Sequence, residues 1–431
     1  MAEVDAVGKY RRGTTISVGF PTLPSLSLVP RQVELIQKEN HHDILKMELP
    51  IISNSWFNLL KTGVPVSFSW KQGGLSSTWT GYVSFVNKHQ VASQIENLLE
   101  VHCVGGSFPL KERVTKTFTN TSVPNAVKHI VEKHGFKFVG EDNGVIFENL
   151  TLAGHSYWEW IVEHAKKIGY GVSVNNMNFC FRPLDKLIDQ GMRSIPVLAF
   201  TGPETLVNGR FLDRTLDGFK VLHGEHIEGE GASRTNKTVS GVDPLTGKIF
   251  SHTTSPKSVG TGIRSSVNDV LFSEVKGEYV AVSDKHAKAI SSGAAHYGRL
   301  NMPALVQCQG DPRIKPFSPV LIQGTGVVTD GYWVAREVKH MFHRLGDYQI
   351  EMKVYSDGTG LNKRTSTRPG TDGPVGVVNL TEALKNNGTN PNTLNTAAVA
   401  IKSKSMIAKE SGQGFKRTPT KWVYSPKGGK H

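Results

Sequence analysis

The chain has 431 residues, of which 38% are hydrophobic and 20% charged, so it can form two or three domains with buried cores. Its 44 glycines and 21 prolines favour short strands and turns over long helices. Cys103, Cys180 and Cys308 lie far apart and form no CxxC pair, which argues against a disulfide framework or a structural zinc site. We expect them to be buried thiols of a protein made in a reducing cytosol.

The formal charge of +13 suits a nucleic acid, an anionic surface or an acidic protein as partner. Residues 359–431 carry twelve Lys and Arg against three acidic residues, so about nine of the excess charges lie in this last part. The rest of the chain is only mildly basic. The N-terminal segment lacks the apolar stretch of a signal peptide, and no run of residues is apolar enough to predict a transmembrane helix.

After an N-terminal arm at residues 1–13, residues 14–112 are predicted to be all β. Segments such as "TISVGF", "QVELIQKE" and "STWTGYVSFVNK" alternate in polarity and are rich in β-branched and aromatic residues. "NSWFNLLKTG" predicts a helical turn that ends at Gly63. A closed or nearly closed barrel is expected, because closure removes exposed edges.

Residues 113–190 predict a small α/β unit with two amphipathic helices. "TSVPNAVKHIVEKHGF" and "HSYWEWIVEHAKKIGY" place apolar residues at helical spacing, and Gly135 and Gly169 follow as stop signals. "GVSVNNMNFCFRP" predicts a hairpin that turns at "NNMN".

A second barrel is predicted from residues 191–230 and 300–358, with strand-like segments such as "PALVQCQGDPRI" and "YQIEMKVYSDG". Residues 231–299 form an insert, in which "DPLTG" predicts a turn and Ser283 the N-cap of a helix. Residues 359–431 predict an extended basic tail. Two islands within it, "TLNTAAVAIKSKSMIAKE" (a short helix) and "KWVYSP", are candidates for docking on a partner or on the chain's own core.

The sequence matches known catalytic and nucleotide-binding motifs poorly. Ser273 to Lys276 match S-x-x-K and Lys61 begins a "KTG", but their order is reversed and no S-D-N lies between them. "GTGVVTDG" does not open a helix, as a dinucleotide-binding loop would. We therefore predict no catalytic residues, no cofactor-binding residues and no cofactor, and expect the chain not to be an enzyme.

Histidines occur in pairs at positions 41 and 42, 223 and 226, and 340 and 343. On a strand, His340 and His343 point to opposite faces, so they cannot share a metal ion, and no metal site is predicted. Within "GYWVAREVKH", Tyr332 and Val334 share one face, interpreted as core, and His340 is interpreted as a polar residue at the strand end. The tryptophans at positions 56, 70, 79, 158 and 160 are interpreted as packing residues.

Three segments in series resemble phage tail baseplate central hub proteins, a group that includes the late control protein D group and the hub-like part of type VI secretion spike proteins. The segments are "LLKTGVPVSFSW" with "WTGYVSFV", the Trp-rich helix with "GYGVSV", and "GDPRIKPFSPVLIQGTG" with the strand from Gly331. The residues that fit the last pattern are Gly310, Pro312, Gly324, Gly331, Tyr332, Val334, Val338, His340 and Tyr348. The resemblance spans residues 14–356, with residues 197–262 matching poorly.

The resemblance implies an α+β, mainly β fold with two tube-like antiparallel β-barrels, an inserted α/β domain and an extended tail. It also implies a virion protein made in the host cytoplasm, a homotrimer that joins the six-fold tail tube to a three-fold spike and forms part of the genome-ejection channel. No fused spike domain is seen, so a separate central spike protein is expected. Further expected partners are baseplate and wedge proteins contacting the tail, the tape measure protein, and DNA passing through the lumen.

Two other functions stay open. A peptidoglycan-binding or cell-wall-active tail protein would use the α/β unit as a glycan-binding module. A nucleic-acid-binding protein is suggested by charge alone, and its affinity for DNA would fall steeply with salt.

Overall fold

The computed structural model describes residues 14–23, 30–50, 55–72, 74–89, 98–191, 195–200, 206–207, 210–211, 214–222, 235–242, 246–254, 272–275, 281–298, 300, 302–325, 329–343, 348–356, 415–417 and 422–424. The chain divides into two units, residues 1–370 and 371–431. The described part of the second unit is one hairpin, formed by β23 (Phe415–Arg417) and β24 (Trp422–Tyr424). The predicted helix in "TLNTAAVAIKSKSMIAKE" lies outside the described residues.

Six strands and a short helix make up the N-terminal part of the first unit. The strands are β1 (Thr15–Gly19), β2 (Gln32–Lys38), β3 (Ile44–Pro50), β4 (Pro65–Gln72), β5 (Leu75–His89) and β6 (Leu98–Gly105), and the helix is α1 (Ser55–Leu59). Buried and half-exposed residues alternate along β2, β3, β4 and β6, as expected of strands with one face in a core. Gly63 follows α1 with a φ of 87°, in the predicted turn.

The α/β unit follows. It contains β7 (Lys116–Thr121), α2 (Val123–Lys133), β8 (Lys137–Gly140), β9 (Phe147–Leu152), α3 (Tyr157–Ile168), β10 (Tyr170–Asn175), β11 (Asn178–Pro183) and α4 (Leu184–Gly191), after a 3-10 turn at Phe108–Lys111. The Ser122 hydroxyl accepts from the backbone N–H of Asn125 at the start of α2. Ser156 and Glu159 form a capping box at α3, and Gly169 ends that helix in the left-handed conformation. The predicted hairpin turns at Asn176, which has a positive φ.

The C-terminal part of the first unit contains eleven described strands and one helix. They are β12 (Val197–Ala199), β13 (Leu206–Val207), β14 (Arg210–Phe211), β15 (Arg214–Val221), β16 (Thr235–Val242), β17 (Ile249–Thr254), β18 (Phe272–Val275), α5 (Asp284–Gly298), β19 (Met302–Gln309), β20 (Pro319–Gln323), β21 (Gly331–His343) and β22 (Tyr348–Ser356). The Ser283 hydroxyl accepts from the His286 N–H, so the predicted N-cap of α5 is confirmed. Helix α5 packs on the sheet of β16, β17 and β18.

One twelve-stranded sheet runs through both barrel-forming parts, in the order β1-β4-β5-β6-β3-β2-β21-β20-β12-β15-β19-β22. Because β21 also pairs with β22, the last six strands close into a barrel. The pairings are antiparallel except those of β12, which runs parallel to β15 and β20. The predicted mainly β, α+β fold class is confirmed.

Side chains from both parts of the sheet share one hydrophobic core. It extends from Val18 and Phe68 in the first strands to Trp333 and Val354 in the last. The α/β unit has its own core around α2 and α3, where the predicted apolar stripes are buried. The first unit is therefore built as a continuous β-structure with the α/β unit on its outside.

Candidate functional site

Strand β21 joins the two barrel-forming parts. Its first residues pair with β20, from Gly331 opposite Ile322 to Val334 opposite Pro319. Its later residues pair with β2, from Glu337 opposite Lys38 to His343 opposite Gln32. Along its other edge it pairs with β22, with a register shift between Ala335 and Glu337. A single thirteen-residue strand thus serves both parts of the sheet.

The register shift around Arg336 changes which residues of β21 face the core. Trp333 and Ala335 point into the large core before it, and Val338, His340 and Phe342 after it. Tyr332 and Val334 do share a face, as predicted, but they pack on the other side of the sheet with Leu187 and Tyr297 of the helices. Because of the bulge, β21 presents residues to the large core both before and after Arg336, although the register of its pairing with β22 changes there.

His340 is fully buried, so its interpretation as a strand-end polar residue is wrong. The Trp70 Nε1–H donates to Tyr348 Oη over 3.2 Å, and Tyr348 Oη lies 2.8 Å from His340 Nδ1. The Tyr348 hydroxyl therefore accepts from Trp70 and makes a second hydrogen bond with the His340 ring. Burial, with a further contribution from the positive charge of Lys315, lowers the pKa of His340 to about 3. The imidazole is therefore neutral in the core.

The prediction that His340 and His343 point to opposite faces of the strand is confirmed, because His343 is exposed while His340 is buried. His42 lies in a different place, stacked on Trp158 with its Nδ1 2.6 Å from Ser107 Oγ. His223 and His226 lie outside the described residues. Within the described ranges, no group of His, Cys, Asp and Glu is arranged to hold a metal ion.

The tryptophans, the cysteines and the S-x-x-K motif named from the sequence were also located in the structure. Trp70, Trp79, Trp158 and Trp160 are buried, and the side chain of Trp56 lies outside the described residues. Cys103 and Cys308 are buried, whereas Cys180 is half-buried. Of the S-x-x-K motif, residues 273–275 lie in β18 and Lys276 is not among the described residues. In the part of the chain described, no helix has the length and apolar character needed to cross a membrane.

A buried charge cluster fixes the turn after β19. Asp311 is fully buried, and Arg313 donates to both of its carboxylate oxygens, over 3.0 and 2.7 Å. Arg214 Nε donates to the Gly310 carbonyl over 2.6 Å and lies 3.5 Å from Asp311. A Cβ on Gly310 would lie 2.2 Å from the Tyr348 ring, so this position requires glycine. Sequence reasoning identified Gly310 and Pro312 by resemblance but missed both arginines, which lie 99 positions apart.

The outer face of the closed barrel carries alternating charges. Glu337 lies opposite Lys353 and Lys339 opposite Glu351 in the β21–β22 register. Lys339 Nζ also lies 3.2 Å from Glu34 on β2. Leu305 is exposed beside them, and a groove of about 660 Å³ runs along this face. Cross-strand charge pairs of this kind stabilise a solvent-facing sheet modestly and make its surface selective for a complementary charge pattern.

Strand β1 forms the edge of the twelve-stranded sheet. Among the described residues it pairs with β4 alone, from Thr15 opposite Lys71 to Gly19 opposite Ser67. Its other edge presents backbone N–H and C=O groups that another strand can pair with. Within the described residues, this edge and the charged outer face of β21 and β22 are two surfaces of the sheet with groups available for pairing.

Comparison by sequence finds nothing: no protein-family model and no curated protein matches the chain. Comparison by structure finds a tail protein from Neisseria meningitidis MC58, at 11% identity and a TM-score of 0.55, covering 80% of this chain and 98% of that one. It also finds the 43 kDa tail protein of prophage MuSo2 from Shewanella oneidensis, at 11% identity and a TM-score of 0.54, covering 80% and 99%.

Nearly the whole of both tail proteins is thus matched by four-fifths of this chain. At this level of identity the likeness concerns the fold. The chain has the fold of these tail proteins, and its predicted resemblance to the baseplate hub family is confirmed at that level.

Proposed function

We propose that the chain is a structural baseplate hub of a tailed phage, located in the virion and without enzymatic activity. The observation that carries this proposal is the joining of two barrel-forming strand sets through β21, in a fold shared with two tail proteins. Residues 14–112 act as the first tube-like domain, and residues 191–230 with 300–358 as the second.

Three copies of such a chain present six similar barrel parts in a ring. A ring of this kind matches a six-fold tail tube on one face and a three-fold central spike on the other. The edge of β1 that no described strand pairs with, and the charged outer face of β21 and β22, support this arrangement, because such edges and faces can contact neighbouring barrels. The lumen of the ring then serves as the channel for genome ejection during infection.

The basic residues 359–431 are proposed to contact neighbouring baseplate and wedge proteins. Their excess of about nine positive charges favours acidic surfaces. DNA passing through the lumen would meet the chain only transiently, since strong phosphate contacts would hold it back.

Electron microscopy of the purified full-length chain tests the proposal. We expect closed rings with three-fold symmetry and six barrel densities around a central opening. Particles with no ring, under conditions where the protein is soluble and folded, would contradict it. A zymogram on bacterial cell walls separates the alternative, because a hub leaves the wall intact and a cell-wall hydrolase clears it.

A further inference from the structure

A polar cleft of about 260 Å³ lies where three parts of the first unit meet. One wall comes from strands β2 and β5, a second from the β10–β11 hairpin of the α/β unit, and a third from the loop at residues 315–318. The contacts proposed for assembly use the edge of β1 and the outer face of β21 and β22. They do not explain the charged lining of this cleft.

The lining carries more positive than negative groups. Lys38, His41 and Lys315 line the cleft, whereas Asp43 is the one acidic residue among the described residues of its walls. The Asp43 carboxylate accepts from Gln37 Nε2 over 2.8 Å, so the wall itself already supplies it with a donor. Burial raises the pKa of Asp43 to about 6, which makes its negative charge incomplete just below neutral pH. The balance of charge in the cleft therefore favours an anionic occupant.

Lys315 supplies an ammonium group that the surrounding protein leaves unpaired. Its backbone N–H donates to the Ser318 hydroxyl over 3.1 Å, but within the described part of the chain its Nζ makes no hydrogen bond or ion pair. The Nζ atom is not among the enclosed unpaired side-chain atoms, so it can be reached from the cleft. Burial lowers the pKa of Lys315, and the charge of Asp43 only partly offsets this effect. A half-buried cation without a partner is unfavourable, and an anion in the cleft would relieve that cost.

Further positive groups lie at the rim of the cleft. The side chains of Lys38 and His41 are exposed as well as lining the cleft, so they form its solvent side. Burial lowers the pKa of His41, and the positive charges of Lys38 and of Lys166 on α3 lower it further. Lys38 Nζ lies 3.5 Å from Glu337, but the two side chains are 50% and 41% exposed, so this ion pair is weak. Lysines from β2, α3 and the loop at residues 315–318 thus surround the cleft.

We propose that this cleft binds a small molecule that carries a phosphate or carboxylate group. The oxyanion accepts from Lys315 Nζ inside the cleft, and Lys38 and His41 hold the ligand at the rim. The cleft volume lies just below the range of about 300–1,000 Å³ that is typical of drug-sized ligands, which limits the ligand to a small one. The proposal does not rest on the hub function, since neither the edge of β1 nor a contact between copies takes part.

Isothermal titration calorimetry on the full-length chain tests the proposal, with inorganic phosphate and succinate as separate probes and the ionic strength held constant with NaCl. We expect saturable binding of at least one probe. Lys315→Met, which keeps an unbranched apolar side chain but removes the charge, should weaken binding about tenfold. Lys38→Met, at the exposed rim, should weaken binding about threefold and keeps the test informative if Lys315→Met does not fold.

Lys220→Met is the matched control, because it removes the same charge from an exposed position of β15 outside the cleft. It should bind as the parent does. All variants keep the basic residues 359–431, so any binding of anions by that region is the same in each protein.

Binding of phosphate alone would support the proposal and assign the cleft to phosphorylated ligands, and binding of succinate alone would support it for carboxylates. Absence of saturable binding of both probes would overturn it. Equal affinities of the parent, Lys38→Met and a folded Lys315→Met would also overturn it. Thermal unfolding of each variant without ligand identifies any loss of binding that is due to misfolding.

Discussion

For His340, the sequence predicts the direction of the side chain relative to His343 correctly but predicts its environment incorrectly. The strand spacing correctly put it on the opposite face from His343. The pattern of "GYWVAREVKH" did not reveal the bulge at Arg336, which shifts the alternation and sends His340 into the core. Its hydrogen-bond partner there, Tyr348, and the Trp70 indole that donates to Tyr348 come from strands that only the folded sheet brings together.

The buried imidazole makes stability depend on pH. The pKa of His340 is about 3 in the folded chain and 6.5 in an unfolded one, so the unfolded state binds the proton first as pH falls. The stability that this residue contributes is complete above pH 6.5 and is lost as pH falls towards 3. The lowered pKa values of His42 and His286 act in the same direction. The raised pKa of Asp43 acts in the opposite direction between pH 3.8 and 6.

We predict that His340→Asn, whose Oδ1 can accept from Tyr348, makes the pH dependence of the unfolding free energy shallower. The difference in slope from the parent chain should reach up to about 1.4 kcal/mol per pH unit within the window. Urea unfolding at several pH values between 3 and 6.5 measures it. His343→Asn, on the exposed face, controls for removal of a histidine from this strand. Equal slopes for the parent and His340→Asn would show that the imidazole is not neutral in the core.

At the scale of elements, local signals predicted α2, α3 and α5 but not α4 (Leu184–Gly191). Ser283 caps α5 as predicted, and Ser122 and Ser156, which were not predicted as caps, make the capping hydrogen bonds of α2 and α3. Gly169 ends α3 as expected. These features depend on residues within four positions of each other, which is why the sequence reveals them. Contacts between elements carry no such local signal.

The crossing of α3 and α5 is one such contact. A Cβ on Gly293 of α5 would lie 2.4 Å from the backbone nitrogen of Gly169, so the two chain segments touch through their glycines. Further along α5, the Tyr297 hydroxyl donates to the Tyr170 carbonyl over 2.9 Å. This crossing attaches the α/β unit to the helix that packs on β16 and β17.

We predict that Gly293→Ala lowers the unfolding free energy by about 1–3 kcal/mol, because the added methyl group forces the segments apart. The gain in helix propensity from glycine to alanine, about 1 kcal/mol, works against this loss. Ser292→Ala, at the neighbouring half-buried position, is the matched control and should change stability little. If Gly293→Ala were as stable as the parent in urea unfolding, the close approach of α3 and α5 would be wrong.

At the scale of the whole molecule, the sequence predicts the order of the β-rich and α/β regions but does not predict how these regions join. Composition and alternation predicted strands on both sides of the α/β unit. The pairing of β2 with β21 connects residues about 300 positions apart, and nothing local encodes it. The sequence therefore suggested two barrels, and the structure shows one sheet with a shared strand and a common core.

We propose that this sheet assembles with copies of itself, and the mass of the chain in solution shows whether it does. Light scattering should be recorded on the full-length chain over a range of concentrations, and on residues 1–358, which contain the whole described sheet. We expect a homotrimer in both cases, because the edge of β1 and the outer face of β21 and β22 lie within the first unit. A strict monomer at every concentration would contradict it.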